Sequence, residues 1–202
     1  MTEFPDFLHL SEAEARVLSD REFMPIKHQV SEKVDAALLH LRDLLLPVVQ
    51  AGPWPAAVRV TPPKLSRGEN YRHYAYRLLD CPRVFAGDDM LAFRSLVLWG
   101  HPIGFHLMLA GRYRELYLPR FLQRYPELPP GAWLSVQADP WRWEAEAEGL
   151  LPLAGLSPAE LRRETGRCAF LKVSYFLPLA EFAQMPVQGL AYWQAWQTLL
   201  AQ

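Results

Sequence analysis

Two apolar, β-like runs, residues 91–99 and 103–110, are separated by nothing more than Gly100, His101 and Pro102. Three residues suffice for a hairpin turn but not for the crossover that parallel strands require, so the runs predict an antiparallel pair. In the second run Ile103, Phe105, Leu107 and Leu109 alternate with Gly104, His106, Met108 and Ala110, the two-residue period of a strand. The first run is apolar on both faces, as a central strand is.

The neighbouring segments extend this core. Residues 73–80 alternate, with Tyr74, Tyr76 and Leu78 on one face and His73, Ala75, Arg77 and Leu79 on the other. Pro82 is expected to end that strand, because proline donates nothing to a ladder. Residues 58–61 and 133–137 read as short strands. In the last strand Ala169, Leu171, Val173, Tyr175 and Leu177 form the apolar face. Residues 139–144 combine a helix-start Asp-Pro with alternating Trp141 and Trp143, and read as strand or extended loop.

Helices flank the strands. Ser11 with Glu14 and Ser157 with Glu160 have capping-box spacing. Ser19 with Glu22 repeats it and opens a second helix, whose stripe runs Phe23, Ile26, Val30, Val34, Ala37, Leu38, Leu41 and Leu45 before ending between Pro47 and Gly52. Residues 111–125 predict a helix with Leu116, Phe121 and Leu122 inward, and a further turn of helix follows at 178–182. The expected architecture is α+β: a mostly antiparallel sheet of about 5–6 strands, with N-terminal and C-terminal helices packed on one face. One domain spans 1–202, divided into a helical segment at about 11–50, a sheet region at about 56–177 and a closing helix at about 187–201. No alternation of strands with crossover helices occurs, which argues against a doubly wound nucleotide fold.

Chemistry concentrates in residues 64–83. Between 59 and 83 six basic residues face two acidic ones, an excess of four positive charges in a chain whose net charge is −1. Ser66, Gly68 and Asn70 have loop chemistry, so this stretch reads as a loop feeding the 73–80 strand. Arginine binds carboxylate or phosphate through its planar fork of donors, which makes an anionic small molecule the expected ligand at an open sheet face beside this loop. The candidate binding residues are Arg67, Glu69, Asn70, Arg72, Tyr74, Tyr76, Arg94, Trp99 and His106, with Arg77 and Tyr71 adding charge and a stacking wall. A hydrolase-type enzyme built on Glu69 and His73 is the alternative. A protein or RNA interaction module is a third reading, with Trp141, Trp143, Trp193 and Trp196 as the contact surface of a homodimer.

The remaining signals narrow the classes. No phosphate loop, dinucleotide fingerprint or nucleophile elbow is present, and no cofactor is expected. His101 and His106 fall on opposite faces of an extended strand, so no metal site is expected. A pI of about 6.6 makes nucleic acid an unlikely general partner. No apolar run approaches the ~18 residues that cross a membrane. Cys81 and Cys168, with no leader ahead of them, read as reduced thiols of a soluble cytoplasmic protein.

Overall fold

The computed structural model describes Pro5 and residues 8–200. The expected closing helix reaches 201, and that position lies outside the described residues. Helix α1 (Glu12–Ser19) opens on the expected capping box: Ser11 Oγ accepts from the Glu14 N–H, and the Glu14 carboxylate accepts from the Ser11 N–H at 2.7 Å. Helix α2 (Phe23–Ala51) is started by Asp20 instead of Ser19. Asp20 Oδ1 accepts from the N–H groups of Glu22 and Phe23, while the Ser19 hydroxyl turns back to Arg16 O in the last turn of α1. The N-cap position itself is Glu22, whose side chain makes no capping bond, so Asp20 satisfies the N–H groups that Ser19 was expected to meet.

A seven-stranded sheet follows, antiparallel at every pairing. Its strands are β1 (Lys64–Tyr71), β2 (Tyr74–Ala86), β3 (Asp89–Leu98), β4 (Ile103–Ala110), β5 (Trp133–Ser135), β6 (Leu150–Pro152) and β7 (Phe170–Leu177), in the order β1-β2-β3-β4-β7-β5-β6. The fold class is as expected, with two more strands at the edges and one fewer at 58–61. Residues Ala56–Val60 form a short helix, α3, because Val58 is its one buried side chain, and a strand needs every second residue on the sheet.

Two local expectations were overturned by sheet geometry. Residues 66–70 are strand, not loop. Gly68 serves close approach: a Cβ there would stand 2.4 Å from Tyr76 Cε1, so only glycine lets that ring lie against β1. Pro82 does not end β2. A register shift between Asp80 and Arg83 takes the proline out of the ladder, and pairing resumes at Arg83.

Helices α2, α4 (Gly111–Arg124) and α6 (Met185–Leu200) cover one face of the sheet; α5 (Pro158–Gly166) precedes β7. Leu38, Leu41 and Leu45 of α2 meet Leu79, Phe93, Phe105 and Leu107 of the strands, and Trp193 and Trp196 of α6 complete the layer. Those two tryptophans are fully buried, so they are core and not contact surface. In α4 the buried stripe is Tyr113, Tyr117 and Phe121; Leu116 is exposed, one step off the expected face. The stripe of α2 is covered only from Ser31 onward, leaving Phe23, Ile26 and Val30 exposed.

Gly189 of α6 is a point of close approach in the helical layer: a Cβ there would lie 2.8 Å from Leu41 Cδ2 and 2.9 Å from Phe105 Cε1. Both neighbours are fully buried and cannot yield. Gly189→Ala therefore destabilises the protein by roughly 1–3 kcal/mol in urea unfolding. Gly166→Ala, which meets nothing within 4 Å, leaves the midpoint unchanged or raises it.

Candidate functional site

The second face of the sheet carries no helix from the helical layer. Its centre is a row of polar residues, one from each of four adjacent strands: Asp80, Arg94, His106 and Ser174, paired in register across β2, β3, β4 and β7. Arg94 meets Asp80 side-on, Nε to Oδ1 at 2.7 Å and Nη2 to Oδ2 at 2.8 Å. His106 Nδ1 lies 2.8 Å from Ser174 Oγ. Leu78, Ala92, Leu96, Leu98, Met108 and Phe170 surround the row with apolar surface.

The face is not open. Residues 138–148 roof it, in a segment closed at its base by Val136 N–H donating to Gly149 O at 2.8 Å. Residues 139–144 pair in no strand, so of the two expectations it is the loop that holds. Trp143 is the part that enters. Its ring stands 4.7 Å from the Arg94 guanidinium, 4.1 Å from Lys172 Nζ and 5.1 Å from the His106 ring. Lys172 donates to the carbonyls of Pro140 and Arg142, tying the roof to β7. The Glu144 carboxylate is met by Arg72 at 3.1 Å, by Tyr71 Oη at 3.1 Å and by the Trp143 N–H at 3.0 Å. All these anchors are made by side chains; the roof has no ladder of its own.

Burial sets the protonation states. Desolvation pushes the Lys172 ammonium down to about 7, with Arg94 adding to the effect and Asp139 and Glu144 opposing it. Burial, then Lys172 and Arg94, hold His106 well below its usual value, so the ring is neutral. Burial and Glu144 push Tyr71 up to about 12. For Glu144 burial works against the charge, but hydrogen bonds from its own N–H, Tyr71 and Trp143 keep the carboxyl below the usual range.

Between Trp143 and the sheet lies a cavity of about 90 Å³, walled by Tyr71, Tyr76, Leu96, Leu98 and Arg94. Tyr71 and Tyr76 meet edge to face with centroids 6.5 Å apart. His106 Nε2 is buried and has no hydrogen-bond partner. It overhangs Gly104, which pairs with Leu96 of the cavity wall, and Trp143 touches both sides.

Five of the sequence-derived candidates meet on this face: Tyr71, Arg72, Tyr76, Arg94 and His106. The others do not. Glu69 and Arg77 project towards α2, where Glu69 pairs with Lys27 at 2.5 Å and Arg77 with Asp35 at 3.3 Å. Arg67 joins them beside a cleft with Asp35 and Leu39. The hydrogen bond from Lys27 holds the Glu69 carboxyl below its usual range. Asn70 is exposed at the register shift of β1, and Tyr74 stands half-exposed with its ring edge-on to His101 at 4.7 Å. Trp99 sits past the end of β3, its N–H on Ala75 O. His73 lies at the tip of the β1–β2 hairpin, where Arg72 and His73 both take positive φ, and among the described residues no hydrogen bond joins it to Glu69.

Lys172 and Ser174 were not among the candidates, and Trp143 was read as contact surface. One signal pointed to the row itself: each of the four strands carries a polar residue at its middle, on the face opposite the helices. No metal-holding group of His, Cys, Asp and Glu occurs among the described residues, and none of their helices is long and apolar enough to cross a membrane. The chain matches no protein-family model, no curated protein and no solved structure.

The protonation states fix a pH profile. Between pH 7 and 9 the unfolded chain carries a proton on Lys172 that the folded chain has released, so stability rises with pH, by at most about 1.4 kcal/mol per unit from this group. Above 9 the buried Cys81 thiol, pushed up to about 12 mainly by burial, acts in the opposite sense. Below about 6.5 the unfolded chain protonates His106 and the folded chain does not, so stability falls as pH falls. Urea unfolding at pH 5.5, 7 and 9 checks both limbs: Lys172→Met flattens the upper one and His106→Asn the lower.

Proposed function

We propose that this protein is a small-molecule-binding module whose site is the cavity under Trp143. The ligand is a small anion bearing an aromatic or other planar apolar group. The observation that carries this reading is the cavity itself: aromatic walls beside a largely buried arginine, under a loop anchored to the sheet through side chains and not through a ladder. The charge balance supports an anion, since Arg72, Arg94 and Arg142 stand around the site against Asp80 and Glu144. Tyr71 and Tyr76 offer ring faces and edges to a planar group.

Size dictates how the ligand enters. A cavity of about 90 Å³ is smaller than the ~150 Å³ that accepts benzene, so a ring seats only if Trp143 moves. The roof can move at modest cost because no backbone ladder has to break. Arg94 stays on Asp80 and presents its remaining edge and its field to the anionic group.

Calorimetric titration with benzoate, 4-hydroxybenzoate and indole-3-acetate tests the reading, with benzyl alcohol as the uncharged control. The carboxylates bind and the alcohol binds at least roughly tenfold more weakly, ~1.4 kcal/mol. Leu98→Trp, which fills the cavity without touching the polar row, abolishes the heat while leaving far-UV circular dichroism unchanged. Absence of heat from all three carboxylates at millimolar concentration would refute the proposal.

A further inference from the structure

Helix α1 has no buried residue. An eight-residue helix is marginal in water on its own, even with a complete capping box, and is stabilised mainly by what it packs against. Its neighbour is equally bare. Over its first two turns α2 leaves Phe23, Met24 and Ile26 between 43% and 62% exposed, and Val17 and Leu18 of α1 are 56% and 77% exposed. Leu8, Leu10 and Val30 extend the patch. The stripe of α2 that forms the core at Val34, Leu38 and Leu41 thus continues without a break into solvent.

We infer that this N-terminal helical pair is the interface of a homodimer, covered by the same surface of a second copy. Area supports that occupant. Summed over the two helices and the residues just before them, eight apolar side chains, each uncovered by on the order of 100 Å², expose roughly 800 Å², one partner's share of a standard interface. The pair as a whole is near neutral, with five acidic and four basic residues from 11 to 33, which disfavours an anionic lipid surface as the cover. The interface is remote in sequence from Trp141 and Trp143, and it replaces the tryptophan-rich surface as the place where copies meet.

Sedimentation of the full chain between 1 and 100 µM tests the inference. The wild type sediments as a dimer. Leu18→Glu combined with Ile26→Glu weakens dimerisation at least a hundredfold, with circular dichroism unchanged because both side chains lie mostly in solvent. Val187→Glu, at an exposed apolar position on α6, leaves the dimer intact. Should the double glutamate variant lose its fold, Leu18→Ser with Met24→Ser takes its place. A wild type that is monomeric throughout the range, or a dimer that survives both double variants, overturns the inference.

Discussion

Arg94 can occupy the middle of a sheet only because Asp80 meets it with both carboxylate oxygens on the neighbouring strand. A guanidinium left unpaired there would cost several kcal/mol, and loss of one partner from such a pair typically costs ~3–5 kcal/mol. Once paired, the arginine organises its surroundings. Its face attracts the rings of Trp141 and Trp143, at 5.3 and 4.7 Å. Its charge helps keep His106 neutral and Lys172 easily deprotonated. The roof and the cavity therefore lean on one ion pair, whose arginine also adds to the burial that sets the two protonation states.

The roof solves a problem created by topology. Three helices and the long stripe of α2 cover one face of the sheet, and the remaining face is too apolar at Leu78, Leu96, Met108 and Phe170 to stand in water. A loop covers it in place of a helix. Covering by loop leaves the backbone of residues 138–148 without a ladder, so its anchorage falls to Lys172, Tyr71, Arg72 and the ring of Trp143. Such a segment opens at lower free energy than the strands beneath it, as a site that must admit a ligand requires.

Local rules made much of the fold legible. The boxes at Ser11 and Ser157 formed as read, because each needs only residues three apart. The hairpin of β3 and β4 formed because three residues allow nothing else. The failures share a cause: they depended on a partner distant in sequence. Gly68 looked like loop until Tyr76 is laid across it. Pro82 looked like a terminator until a register shift absorbs it. At residues 58–61 the β-branched pattern lost to a helical turn that buries Val58 and leaves Val60 exposed.

The charge excess of residues 59–83 shows why a site is harder to read than a strand. Alternation sends Arg77 and Glu69 to the α2 side, where acids and a lysine of that helix neutralise them. It sends Tyr76 and Asp80 to the other side, and the hairpin carries Arg72 to Glu144. Density along the chain was thus divided between two faces by the two-residue period of the strand itself. The site was assembled instead from residues that are isolated in sequence, one polar side chain from each of four strands, brought into a single row by register. Periodicity reveals which face each residue takes, but only the pairing of β2 with β3, β4 and β7 reveals that the four are neighbours.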